Sequence, residues 1–242
     1  NVEKKGAINA EYIIPASLEL FERCNAKGLV KKITLAPEVN GNVDVIDKLP
    51  TVVSVGHTTA DYDTAALAFR RGARCLTHTY NVMPGIHHRE PGPIGAGADD
   101  PNVFAELICD GIHISPEVVA LTQKVKGERL VLISDSMEAT DCADGEYSIA
   151  GNPVTVKNKI ARTFDGALAG STLTLDAALK NLMKFSGISL EEAIISVTEA
   201  PAKEVGIFEE YGSLDVGKRA DILFLDGKNL SIDRVILGGY AL

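Results

Sequence analysis

Five residues that could do chemistry close five successive apolar runs. Glu38 ends VKKITLAPE, His57 ends TVVSVGH, His78 ends ARCLTH, His113 ends FAELICDGIH and Asp135 ends RLVLISD. The chain has only five histidines, so three at such positions form a pattern. Imidazoles are ligands for zinc and its first-row neighbours, and a catalytic site of this kind uses about three protein ligands with one position left open. Such an ion acidifies water, and a nearby carboxylate can take the water's proton and pass it to a leaving group. His57 and His78 are therefore candidate metal ligands and Asp135 a candidate base. Taken singly, a strand-end His reads as a hydrogen-bonded rim residue and an Asp after a strand as a helix N-cap. Glu38 stands open, as a ligand by position or as a structural group.

These residues need elements that bring them to one place. PASLELFERCNAKG reads as a helix with a Gly stop, and DYDTAALAFRRG as another with Asp61 at its N-cap and Gly72 at its end. PEVVALTQKVKG opens with proline at the first helical position, TLTLDAALKNLMKFSG is helical, and SLEEAIISVTEAPAKEVG opens with a Ser189–Glu192 capping box. The runs between them are nearly continuously apolar. Strands of that type alternating with helices predict a parallel α/β sheet covered on both faces, whose C-terminal strand tips share one mouth. Two stretches break the rhythm. EYSIAGNPVTVKNKIART (146–163) reads as an antiparallel hairpin excursion with turns at Gly-Asn and Lys-Asn, and the tail from 213 as a small β module.

Composition narrows the partners. The formal net charge is −9, which argues against a nucleic-acid or membrane-surface partner but leaves room for a small anion held by a local Arg or Lys. No apolar run approaches the ~20 residues of a membrane span, and residues 1–20 lack the features of a signal peptide. Cys24, Cys75, Cys109 and Cys142 are scattered, without a C-x-x-C pair. They are expected to be reduced core or near-core thiols of a cytoplasmic protein.

Two further stretches carry possible chemistry. NVMPGIHHREPGPIGAG (81–97) follows His78 directly and contains Arg89, a side chain suited to bidentate binding of phosphate or carboxylate. Its plain alternative is a solvated surface Arg, and His87 and His88 read as exposed loop residues. GALAGSTLTLDAA (166–178) is a Gly-containing turn into a helix N-terminus, which offers backbone N–H groups to an anion or hydroxyl, or serves packing alone.

The segments SVGHTTADYDTA, THTYNVMPGIHHREPG, ICDGIHISPE, LISDSMEAT, LAGSTLTLDAAL and GSLDVGKRADILFLD occur in this order. Together they resemble the N-acetylglucosamine-6-phosphate deacetylases of the amidohydrolase superfamily. The likeness runs over essentially all 242 residues and corresponds to about the C-terminal two-thirds of that family's pattern. It implies a (β/α)8 TIM-type barrel, here without its N-terminal strands and spanning 1–212 with the hairpin insertion near 146–163. Residues 213–242 would be part of a small flanking β-sandwich. It implies a cytoplasmic homodimer that uses a divalent metal, zinc or iron, to hydrolyse the acetamide of N-acetylglucosamine 6-phosphate to glucosamine 6-phosphate and acetate.

By the motif match, His57 and His78 are metal ligands and Asp135 the base. His113, Asn81, Val82 through its backbone, Ala7, Leu168, Ala169 and Gly170 contact the sugar or line the pocket. Arg89 takes the phosphate, with a neighbouring subunit's site as one option. The family's third ligand is a Glu in a Glu-Gly-Pro motif that precedes the Lys-Lys-Gly segment, and residues 1–242 take up the pattern after it. Ile8 stands where many relatives have His. The resemblance thus implies weak metal binding by these residues alone. Two rivals stay open: an amidohydrolase acting on another amide, such as a cyclic amide or acylated amino acid, and a non-catalytic sugar-phosphate-binding fragment. Arg89 separates the first, since its removal should weaken phosphorylated substrates selectively.

Overall fold

The computed structural model describes residues 1–242. Its centre is a sheet of five parallel strands in sequential order: β1 (Lys32–Leu35), β2 (Val52–Val55), β3 (Ala73–Leu76), β4 (Phe104–Ile108) and β5 (Leu130–Ile133). The strands are short and mostly apolar, as a sheet covered on both faces requires, and all five residues of β4 are buried, while Thr34 on β1 and Arg74 on β3 are exposed. The helices are α1 (Leu18–Cys24), α2 (Tyr62–Arg70), α3 (Gly92–Asp99), α4 (Pro116–Lys126) and α5 (Leu175–Ser186), followed by the short α6 (Leu190–Ile194) and α7 (Glu199–Glu204). Sequential parallel strands joined through helices make an α/β sheet of the TIM-barrel type, here an open arc with β1 and β5 at its edges.

Local chemistry sets the boundaries. The Asp61 side chain accepts from the Thr64 amide and starts α2, Pro116 opens α4, and Ser189 with Glu192 forms a full capping box at α6. The capping-box segment is not one helix. A 3-10 turn at Ile195–Val197 and the non-helical Thr198 (φ −128°, ψ −79°) divide it before α7. Two clusters cover the sheet. Val53, Val55, Leu76, Ala65, Phe69 and Val103 pack around α2 and α3, while Leu107, Leu130, Leu132, Val119, Leu179 and Leu182 pack around α4 and α5.

The two rhythm-breaking stretches are antiparallel sheets. β6 (Gly145–Ile149), β7 (Asn152–Lys157) and β8 (Ile160–Thr163) form one, and β9 (Ile222–Leu225), β10 (Ile232–Leu237) and β11 (Tyr240–Ala241) form the other. The turns of the first sheet fall one residue earlier or later than expected, at Ala150–Gly151 and Asn158–Lys159. All four of these residues have positive φ, the backbone that closes a two-residue hairpin in register with the strand twist. The cysteine expectation needs correction. All four are free and Cys75 and Cys109 are buried, but Cys24 and Cys142 are exposed.

Candidate active site

His57 and His78 follow β2 and β3 by two residues each, and Asp135 follows β5 by two. All three adopt left-handed backbone, with φ of 48°, 31° and 49°. For a non-glycine residue this conformation costs about 1–2 kcal/mol, and such strain persists where surrounding contacts fix it. The same turn at three strand tips aims the three side chains out of the sheet and into one cavity of about 630 Å³, lined by His57, His78 and Asp135 together with Thr34 and Thr77.

The two imidazoles meet edge to face, with Nε2 atoms 3.0 Å apart. His57 Nδ1 donates to the Lys4 carbonyl at 2.7 Å, which leaves the Nε2 lone pair facing His78. Burial, and then the adjacent His57 ring, push the His78 imidazole below its ordinary 6.5. It is therefore neutral, the form that ligates metal. Two ring nitrogens at this separation share either one proton or one cation. Ions that bind imidazole at about 2.0–2.1 Å fit such a pair, so the donor set suits a divalent metal, and the Lys4 carbonyl supplies the outer contact that orients a ligating His.

Close packing between the strands holds the pair. A Cβ on Gly56 would lie 2.6 Å from Thr77 Cβ, so glycine there lets the turns before His57 and His78 touch. Beneath them Thr77 Oγ1 meets Thr34 Oγ1 at 2.9 Å and Ser54 Oγ at 2.5 Å. Glu38 is a clamp on the turn after His57. Its carboxylate accepts from Asn1 Nδ2 (2.7 Å), the Thr59 amide (2.7 Å), the Thr59 hydroxyl (3.2 Å) and the Thr58 hydroxyl. A carboxylate has about four acceptor positions. Oε1 takes three of these contacts and Oε2 the Thr58 hydroxyl, so in this arrangement the carboxylate is spent chiefly on the turn after His57.

The other expected residues are distributed around this centre. Gly6, at φ 58°, lets the N-terminal segment approach His57, where a Cβ would lie 3.3 Å from the ring. Ala7 follows it, its carbonyl accepting from Asn152 Nδ2 on β7 at 2.7 Å. His113 is not at a strand tip. It lies five residues beyond β4, bound through Nδ1 to Asp110 Oδ2 at 2.6 Å. Burial opposes the charge on Asp110, but hydrogen bonds from His113 and the amides of Ile112 and His113 hold its pKa below the ordinary value. His113 lines a second cavity of about 330 Å³ with Leu168 and Gly170, while Ala169 turns into the apolar cluster under the β6–β8 sheet.

Asn81 and Val82 lie in the turn after His78. The Asn81 amide donates to the His78 carbonyl at 3.1 Å, and the Val82 carbonyl accepts from the Thr58 amide at 3.2 Å. Arg89 lies on the exposed loop 85–90 beside His87 and His88, its guanidinium against His88 Nε2 at 2.6 Å. It lines neither cavity.

Sequence reasoning passed over a charged cluster below the histidines. Lys32 Nζ binds Glu106 and, at 2.8 Å, Glu204. Cys75 lies with the two carboxylates in a group of metal-ligand spacing, but the Lys32 ammonium is already the cation there. Burial opposes the Lys32 charge, yet Glu106 and Glu204 outweigh it and hold its pKa above the ordinary value. A signal existed: Glu106 is a lone carboxylate in the apolar run FAELI.

The amidohydrolase family pattern matches residues 28–242. The N-acetylglucosamine-6-phosphate deacetylase of Vibrio furnissii is 38% identical over 211 residues, 86% of this chain and 53% of that protein. The N-acetylgalactosamine-6-phosphate deacetylase of Escherichia coli O157:H7 is 39% identical over 213 residues, 87% of this chain and 56% of that protein. The crystal structure of the N-acetylglucosamine-6-phosphate deacetylase of Pasteurella multocida superposes with a TM-score of 0.94 at 31% identity, covering all of this chain and 64% of that one. The chain thus spans just over half the length of the curated relatives it matches. The family pattern over residues 28–242 and the overall superposition agree: this chain belongs to the amidohydrolase family.

Proposed function

We propose that the protein hydrolyses the acetamide of an N-acetylhexosamine 6-phosphate, with N-acetylglucosamine 6-phosphate as substrate, to the free amine and acetate. The observation that carries this reading is the convergence of His57 and His78 at 3.0 Å in a cavity that Asp135 also lines. The amidohydrolase family uses divalent metals, and His57 and His78 would hold one here, zinc or iron by the preference of imidazole and carboxylate donors. When bound, the ion polarises the amide carbonyl and acidifies water.

Asp135 accepts a proton from the attacking water and delivers it to the departing amine nitrogen, so that one carboxylate serves as base and then acid. His113, oriented by Asp110, holds a sugar hydroxyl, and Asn81, the Val82 backbone, Ala7, Leu168, Ala169 and Gly170 bound the sugar. Arg89 binds the phosphate. Its exposed place outside both cavities suits a contact made across a homodimer into the partner's site. A cytoplasmic location accords with a phosphorylated sugar as substrate.

The Escherichia coli relative, named for the galactosamine sugar, matches as well as the glucosamine enzymes. The C4 epimer is therefore a second reading. The test is acetate release by the metal-loaded, full-length protein from N-acetylglucosamine 6-phosphate, its C4 epimer, and unphosphorylated N-acetylglucosamine. Release from the first at least tenfold faster than from the other two is expected. Faster release from the epimer selects the second reading, and no release from either phosphate overturns both.

A further inference from the structure

We propose that Ser171 is a positioning residue that fixes the backbone of Asp135 and so places its carboxylate; this deepens the hydrolytic reading and rests on it for its kinetic consequence. β5 ends at Ile133, and the chain from Ser134 to Met137 runs on without a sheet neighbour except Ser171. The Ser171 amide donates to the Asp135 carbonyl at 2.8 Å, and the Met137 amide donates to the Ser171 carbonyl at 3.0 Å. The Ser171 hydroxyl donates to the Ser134 carbonyl and accepts from the Leu173 amide at 3.0 Å. Backbone groups of residues 134, 135 and 137 thus all lead to one side chain and its own peptide groups.

The carbonyls before and at the left-handed Asp135 (φ 49°) are both held. Strained backbone of this kind survives only where the surroundings over-determine it. Ser171 is 4% exposed, so water does not replace its hydroxyl bonds. The approach depends on Gly170, where a Cβ would stand 3.1 Å from the Asp135 carbonyl oxygen. Ser171 does not reach the reacting atoms in this arrangement; it acts through Asp135. A reacting group displaced by about 1 Å loses on the order of a hundredfold in rate, which sets the scale of the effect.

The test compares Ser171→Ala, Ser171→Thr and Thr140→Val in the metal-loaded, full-length protein. Thr140 is the structural control, because its hydroxyl bonds the same Ser171 carbonyl at 3.2 Å without touching Asp135. Ser171→Ala is expected to lower kcat for acetate release by about ten- to a hundredfold while KM and metal content stay within about twofold. Ser171→Thr restores most of kcat. Thr140→Val lowers Tm to a similar degree as Ser171→Ala but keeps kcat. A crystal structure of Ser171→Ala shows Asp135 moved out of left-handed backbone. The inference is overturned if Asp135 stays in place in that structure, if Ser171→Thr is as slow as Ser171→Ala, or if kcat follows Tm alike in the Ala and Val variants. Should the wild-type protein release no acetate, the hydrolytic reading fails instead, and the Asp135 backbone in the Ser171→Ala crystal still decides whether Ser171 holds it.

Discussion

The Nε2 atoms of His57 and His78 stand 3.0 Å apart at the tips of neighbouring parallel strands. Each ring gets there through a left-handed residue two positions past its strand, and Asp135 repeats the device after β5. Three separate contacts hold these turns. Glu38 grips the residues after His57, Gly56 lets Thr77 close under both rings, and Ser171 grips the carbonyls at Asp135. The site is thus built from residues on bent strand tips that distant contacts hold in place.

Gly56→Ala is expected to lower stability by about 1–3 kcal/mol, the cost of overpacking a filled interior. It should also weaken metal retention at least tenfold, because the added methyl would stand 2.6 Å from Thr77 Cβ and part the turns that carry the two rings. Urea unfolding and chelator competition on the same variant check both effects. Loss of stability with unchanged metal retention would show that the Gly56–Thr77 contact does not set the ring spacing.

Glu38 makes folding sensitive to acid. Burial raises its pKa, but hydrogen bonds from Thr58, Thr59 and Asn1 outweigh that and hold it below the ordinary 4.5. The folded state therefore binds this proton less readily than the unfolded chain. The stability contributed is fully present above about pH 4.5 and disappears as pH falls through the depressed folded value. Glu38→Gln should lose about 2 kcal/mol near neutrality, the scale of hydrogen bonds to a charged group. Its denaturation midpoint should converge on the wild-type one as pH is lowered. Parallel curves down to about pH 2.5 would contradict the clamp.

Lys32→Met leaves Glu106 and Glu204, 4% and 1% exposed, facing each other without a cation. Removing one partner of a buried pair costs about 3–5 kcal/mol, and the Lys32 side chain, 24% exposed, puts the expected loss near the lower figure. Lys32→Met combined with Glu106→Gln should recover part of it, since one buried charge is then gone. Denaturant unfolding of the two variants gives the comparison, and a double variant no more stable than the single one would refute the charge argument.

Much of this fold is legible in the chain. The runs ending at His57, His78 and Asp135 are parallel strands because they are predominantly apolar, with only Ser54 inside β2 and Arg74 inside β3, and Asp61, Pro116 and Ser189 mark helix starts by their own capping chemistry. What stays hidden depends on contacts distant in sequence. Glu38 ends a strand-like run just as the histidines do, and only its four hydrogen-bond donors reveal a clamp. His113 follows an apolar run of the same look, yet its ring turns aside to Asp110 and the second cavity. Ser171 lies in a turn with no periodicity, and its bonds to residues 134–137 cross more than thirty positions.

The most direct test of the account is a chelator-competition titration of a divalent ion into the metal-stripped, full-length protein and into its His57→Asn and His78→Asn variants. Two rings sharing one ion predict that each replacement weakens binding at least a hundredfold, consistent with loss of a direct ligand rather than an outer contact, which costs about 10–100-fold. Binding by either variant as tight as by the unaltered protein would contradict the shared-ion site.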